Sequence, residues 1–177
     1  MSFRIRPATP ADAPSIAHIH VASWKSTYPG IIPEAALAAL NEEDRRQLWQ
    51  QQLEARNFPI FVAESNSGIF GFLAGGPIRT PIEQYDAELY ALYLLQTHQR
   101  HGAGRALLQQ LARTLRSQGY RSMLVWVLEA NPAAGFYEHL GAIAVTRQTI
   151  EIGGASLPEI ALGWPYLAIL AETPTSK

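Results

Sequence analysis

The segment "AELYALYLL" (Ala87–Leu95) is an almost unbroken apolar run. A run of that kind is stable only when both its faces are covered, which predicts a central strand. The next residues, "QTHQRHGAG", lead into "RALLQQLARTLRSQG", where Leu107, Leu108, Leu111 and Leu115 share one face and Gly119 marks a stop. A buried strand that turns through glycine into an amphipathic helix commits the chain to a layered α/β architecture. Gly102 and Gly104 stand one residue apart at that turn. Either the backbone only has to turn there, or a ligand must approach it closely.

The remaining segments fill in the layers. "FRIRPA" (Phe3–Ala8) alternates like a half-buried strand, and Pro10 opens a helix running towards Trp24. "YPGIIP" breaks the chain before a second helical region that ends near Leu53. Within that region Asn41 followed by Asp44 has the form of an N-cap with an acidic N3 residue, so it divides into two short helices. "PIFVAES" and "GIFGFLAGG" flank Asn66–Ser67–Gly68 as a hairpin, and "PIRTPIEQ" reads as a loop. "SMLVWVLEA" is a second buried strand, followed by a short helix capped by Asn131 with Pro132 in its first turn. "AIAVTRQTIEI" and "ASLPEIALGW" close as a hairpin in which Pro158 suggests an edge or a bulge. The predicted order is β-α-α-β-β-β-α-β-α-β-β, a mixed α/β (α+β) sheet with helices on its faces.

At 177 residues this is one domain, expected over 1–165 with a tail at 166–177. The hydrophobic share of 47% suits a globular chain, and a net charge of −1 without a Lys/Arg run offers no surface for nucleic acid or an anionic membrane. With no cysteine there is no disulfide, thiolate nucleophile or Cys-based metal site. No secretory h-region follows the N-terminal arginines and no segment reaches bilayer length, so a cytoplasmic protein is expected. His18 and His20 are two apart, point to different faces of a helix and do not form a metal site. The apolar stretch Tyr166–Leu170 packs either on its own domain or on a second subunit as a homodimer contact.

The turn has the makings of an anion site. The first amides of a helix lack intrahelical acceptors, the helix dipole adds partial positive charge, and glycine keeps Cβ atoms out of the way. It is not a P-loop, because no Lys-Ser/Thr pair follows, and it lacks the third glycine of a dinucleotide fingerprint.

Three ordered motifs together are more specific. "ELYALYLLQTHQRHGAGRALL" resembles the Q/R-x-x-G-x-G/A signature of GNAT-type N-acetyltransferases, and "VLEANPAAGFYEHLGA" resembles their second signature. "IRPATPADAPSIAHIHVASWKSTYPGIIP" is similar to a common opening of the family, so the resemblance extends over about residues 3–164. It implies a GNAT-like fold: a mostly antiparallel sheet splayed at a cofactor cleft. It further implies an acetyl-CoA pyrophosphate held by Gln99, Arg100, His101, Gly102, Ala103 and Gly104, and acetyl and pantetheine portions on the backbone of Leu92, Tyr93 and Leu94. Gln96 stands where many members carry Pro.

Direct transfer to an amine needs a neutral nucleophile, a donor for the carbonyl oxygen and an acid for the departing thiolate. Tyr137, six residues after Asn131, is the candidate acid, and the resemblance makes both Tyr137 and Asn131 cofactor contacts; without it they are a structural tyrosine and a helix cap. Glu88 is the candidate base, with an exposed strand-end glutamate as the alternative; some relatives place an acid where this chain has Trp126. Trp24 and Tyr28 either clamp the acceptor or only pack the loop. The expected activity is acetyl transfer from acetyl-CoA to a primary amine of a small molecule or peptide. The alternatives are a non-catalytic coenzyme A-binding module and a nucleotide-binding domain.

Overall fold

A computed structural model describes residues 2–172. Strands β1 (Arg4–Pro7), β2 (Ile60–Ser65), β3 (Gly68–Ile82), β4 (Tyr85–Leu94), β5 (Met123–Leu128), β6 (Ile143–Ile152) and β7 (Ala155–Trp164) form one sheet. Their spatial order is β1-β2-β3-β4-β5-β7-β6, and β4–β5 is the parallel pair in an otherwise antiparallel sheet.

Helices cover both faces. On one, α4 (Ala103–Ser117) buries Leu107, Leu108, Leu111 and Leu115 completely against Leu73, Leu89 and Val125. Each such leucine contributes about 2 kcal/mol of apolar burial. On the other, α1 (Ala13–Thr27) and α3 (Glu42–Ala55) cover Ile60, Val62, Phe72 and Ala74 with Ile16, Ile19, Trp49 and Leu53. The short α2 (Glu34–Ala38) precedes Asn41, whose Oδ1 accepts from Asp44 N–H at 2.8 Å, so the second helical region divides where the cap motif places the break.

Four expectations need correcting. "PIRTPIEQ" is not a loop: β3 runs through it to Ile82, and Ile82 pairs with Tyr85 around a tight turn in which Gln84 takes φ +73°. The strand loses its regular register between Pro77 and Ile82, where proline interrupts ladder bonding. The apolar β4 is not buried on both faces throughout, because Tyr90–Leu94 are half-buried. Pro158 lies on inner strand β7, and β6 is the edge; Glu129 N–H donates to the Pro158 carbonyl at 3.0 Å, and the return bond is the one proline cannot give. The boundary at 165 is also too early, since Leu167, Leu170 and Ala171, around α6 (Ala168–Ala171), join the core under α4. The rest of the expected tail, 173–177, lies outside the described residues. Among the described residues no helix is long and apolar enough to cross a membrane.

Candidate active site at the splayed strands

Strand β4 carries one residue too many for its partner. Ala74 pairs with Ala91 and Gly75 with Leu89, leaving Tyr90 as a bulge. Gly75 is required there, because a Cβ would come within 2.7 Å of Leu111 and 2.9 Å of the Glu88 carbonyl oxygen. Beyond this kink β5 departs, pairing with β4 only over Ala87–Leu89 before continuing along β7. Leu95 N–H donates to Phe70, and bonding alternates along an antiparallel ladder, so the backbone groups of Leu92 and Leu94 face the gap that β5 has left. The Leu94 carbonyl accepts there from Ser23 Oγ and Gln99 Nε2, both at 3.3 Å.

The glycine turn sits at the mouth of this gap, and its two glycines answer different demands. Gly102 takes φ +85°, and nothing lies within 4 Å of where its Cβ would be. It supplies a left-handed conformation and an open approach. Gly104 has an ordinary φ and a would-be Cβ at 3.3 Å from Phe136, so it lets α4 start close to α5 (Ala133–His139). The first intrahelical bond runs from Ala106 N–H to Gly102, and no side chain caps the helix. The amides of Ala103, Gly104 and Arg105 therefore stand without acceptors among the described residues. Arg100, with φ +63°, and His101 are exposed beside them.

Across the gap the phenols of Tyr137, Tyr93 and Tyr28 influence one another electrostatically. Tyr137 is 6% exposed and meets Trp164 edge to face at 6.0 Å. Its hydroxyl has no hydrogen bond among the described residues, where no enclosed side-chain oxygen or nitrogen lacks a partner. The hydroxyl must therefore open to solvent rather than into a sealed interior. Burial pushes this phenol well above its ordinary range, and Tyr93 and Tyr28 add to the effect. Tyr93 accepts from Trp24 Nε1 at 2.9 Å, and Tyr28 accepts from Asn131 Nδ2 at 3.0 Å. Asn131 at the same time caps α5, its Oδ1 accepting from Ala133 N–H at 2.9 Å.

Glu88 is neither exposed nor at the strand's start. It is 2% exposed, and Oε1 accepts from the Arg79 guanidinium while Oε2 accepts from Arg79 N–H at 3.0 Å. Arg79 in turn lies 4.6 Å over the Tyr90 ring. A carboxylate offers about four lone-pair positions, so Oε2 keeps capacity for one further donor.

The two histidines do diverge. His18 pairs with Glu42 on the surface, whereas His20 is buried, stacks on Tyr93 at 5.0 Å and accepts from Trp49 Nε1 at 3.1 Å. Burial, with Arg45 nearby, pushes His20 down to about 4. The unfolded chain therefore binds this proton more tightly. The resulting stability is fully present above about pH 6.5 and is lost as pH falls through about 4. The full difference amounts to about 3 kcal/mol. His20→Phe should accordingly flatten the fall in unfolding free energy between about pH 7 and pH 4 by a similar amount, read by urea denaturation at both ends. A variant with the wild-type slope would show that His20 is not the titrating group.

The sequence profile described as the Acetyltransferase (GNAT) family matches residues 18–142. The chain belongs to the GNAT acetyltransferase family. It is 44% identical over 167 residues to an uncharacterized N-acetyltransferase, YuaI, of Bacillus subtilis, covering 94% of this chain and 95% of that protein. Phosphinothricin N-acetyltransferase of Streptomyces viridochromogenes is 28% identical over 154 residues, covering 85% and 78%. Among solved structures, YncA of Salmonella typhimurium with acetyl-CoA superposes with a TM-score of 0.72 at 23% identity, over 94% of this chain and 95% of that one, and supports the same fold.

In this GNAT chain the turn residues Gln99–Gly104, the β4 residues Leu92–Leu94, Asn131 and Tyr137 meet around one gap, with Trp24 and Tyr28 on its far wall. Glu88 lies on β4 beyond the bulge. Sequence reading missed Ser23, Arg79, Trp49 and the place of His20. The Trp24–His20 spacing, one helical turn, was the one signal that could have joined His20 to the aromatic wall. Two hollows at the opposite end of the sheet share Arg56, Phe58 and Pro59 and lie away from these groups.

Proposed function

We propose that this GNAT protein transfers the acetyl group of acetyl-CoA directly to a primary amine of a small molecule. The observation that carries the reading is the juxtaposition, in one gap, of the unpaired amides at Ala103–Arg105, the outward backbone of Leu92 and Leu94, and the solvent-reaching Tyr137 hydroxyl. Phosphinothricin, the acceptor in the name of one relative, favours a small molecule over a peptide. Residues and group fit each other: the open space beside Gly102 admits a diphosphate to the helix amides, with Arg100 and His101 as further donors. Leu92 and Leu94 offer strand-like pairing to the amide-bearing arm. When bound, acetyl-CoA supplies a thioester carbon for attack and a sulfur that departs.

The chain's own groups divide the remaining work. The outward N–H of β4 stabilises charge developing on the carbonyl oxygen. Tyr137 gives its proton to the departing sulfur. Glu88, through a water on Oε2, takes the proton that the acceptor ammonium must lose, since an alkyl amine is protonated up to a pKa of about 10.4. Trp24 and Tyr28 bound the acceptor side.

Glu88→Gln should then lower kcat/KM for the amine about 100-fold near neutral pH, within the usual range for a general base. The deficit should shrink as pH approaches the amine's own pKa, where no base is needed. A pH-independent deficit would assign Glu88 to holding Arg79 alone. The function itself is tested by incubating the protein with acetyl-CoA and a panel of small amines while following free thiol. Amine-dependent thiol release is the expected result. Tight coenzyme binding with neither transfer nor slow thioester hydrolysis would leave the non-catalytic module instead.

A further inference from the structure

We propose that Trp126 and Glu159 receive the acceptor as an alkylammonium ion, which makes this chain selective for small cationic amines that carry no carboxylate. The inference rests on the acetyl-transfer reading and gives the acceptor its charge.

The sheet register brings these side chains to one face. Along β5 Met123, Val125 and Val127 pack under α4, so Leu124, Trp126 and Leu128 take the opposite face, where Leu128 joins Tyr28 and Trp24. Trp126 is the first β5 residue past the last β4 pair, Leu89–Val125, and so stands where the gap begins. Glu88 pairs with Leu124, one same-face position before Trp126. On the other flank Trp126 pairs with Ala161 and Leu128 with Glu159. Glu159 is therefore a diagonal neighbour of Trp126, a spacing that a large side chain can span. The other diagonal neighbour is Gly163, where the Tyr85 ring fills the space that a Cβ would take. The indole thus has a carboxylate on either flank, with Tyr85 closing the end away from Leu128.

Both groups keep unused capacity. Trp24, Trp49 and Trp164 donate their indole N–H to Tyr93, His20 and Leu140. Half-buried Trp126 has neither a hydrogen bond nor a ring partner among the described residues, although a tryptophan that is largely covered normally finds one. Glu159 is 8% exposed; Gln148 Nε2 donates to its Oε1 at 2.6 Å, and Oε2 has no partner among the described residues. Since no enclosed side-chain nitrogen or oxygen lacks a partner there, the Trp126 N–H and Glu159 Oε2 both open to solvent. A carboxylate so buried has given up most of its water, and an ammonium at Oε2 replaces what was lost. Glu88 and Glu159 bring two negative charges to this face, and Arg79, which both stabilise, brings one positive charge. The balance favours a cation, and an indole ring attracts one as well. A carboxylate on the acceptor would instead face Glu88 and Glu159 and find Arg79 already engaged.

The test reads binding in the free protein, independently of acetyl transfer. Tryptophan is replaced biosynthetically by 5-fluorotryptophan, and the Trp126 resonance is identified by its loss in Trp126→Phe. Pentylamine, pentanol and pentanoate are then titrated near neutral pH and followed by fluorine NMR. Pentylamine, present as its ammonium ion, should move the Trp126 resonance saturably, with pentanol and pentanoate at least about 10-fold weaker, the worth of one charge-assisted hydrogen bond. Glu159→Gln keeps the bond from Gln148 and should weaken pentylammonium binding by a similar factor. In turnover with acetyl-CoA it should raise the KM for pentylamine about 10-fold and leave kcat within about 3-fold, as expected of a group that binds the acceptor without entering the chemistry. The proposal is overturned by the absence of a saturable shift, by pentanol or pentanoate binding as well as pentylamine, by undiminished affinity in Glu159→Gln, or by a fall in its kcat at unchanged KM. Should Glu159→Gln fail to fold, the comparison of the three probes on the wild-type protein decides alone. Saturable pentylammonium binding without any transfer would sink the assigned activity and leave the ammonium site standing, so the two failures are distinct.

Discussion

Tyr137→Phe is expected to lower kcat about 100-fold or more, the usual share of a general acid, while the Kd for acetyl-CoA changes less than about 2-fold. The hydroxyl has no hydrogen bond among the described residues, so its removal orphans no buried partner and stability should hold within about 0.5 kcal/mol. The ring keeps its edge-to-face contacts with Phe136 and Trp164. Loss of rate without loss of fold or binding is the signature of a proton supplied only in the transition state. Because burial holds the phenol above its ordinary value near 10, it stays protonated throughout the neutral range and contributes no limb to the pH–rate profile there. Turnover equal to wild type would remove Tyr137 from the reaction, and a large rise in the Kd would make it a binding group instead.

What could be read without coordinates followed the range of the forces involved. The Asn41 cap, the leucine face of α4, the hairpin at Asn66–Gly68 and the stop at Gly119 depend on residues within a few positions of one another, and each lies where its pattern places it. Loop and tail readings failed where tertiary packing overrode composition. Pro77–Ile82 continues a strand because β4 offers a partner across a two-residue turn, and Leu167–Ala171 is ordered by the underside of α4. At the site, spacing marked the glycine turn, only the family resemblance singled out Tyr137, and the reason for the second glycine was in neither. Gly104 answers to Phe136, which arrives from another helix. Likewise the Arg79–Glu88 pair and the Asn131–Tyr28 bond, the latter spanning 103 positions, exist only once β3, β4, α1 and α5 have come together. Such pairings leave no periodic trace in a chain.

The largest stability effect falls on a residue outside the chemistry. Trp164→Ala should cost about 3–5 kcal/mol, the range for deleting a large aromatic from a packed core. Trp164 is completely buried, its indole N–H donates to the Leu140 carbonyl at 2.9 Å, and its ring supports Tyr137 from below. Trp164→Phe separates these contributions. It keeps most of the apolar volume but leaves the Leu140 carbonyl at the end of α5 without its donor, for an expected cost of about 1–3 kcal/mol. Urea unfolding of both variants checks the order, and a loss below about 1 kcal/mol in Trp164→Ala would show that the core closes over the gap. Activity should follow a different course from stability. Since the Leu140 bond fixes the end of the helix that aims Tyr137, Trp164→Phe should lower kcat under conditions where the protein is fully folded, and that deficit should vanish in the Tyr137→Phe background, where no proton remains to be aimed. Additive deficits in the double variant would mean that Trp164 supports the fold of α5 without setting the direction of the phenol.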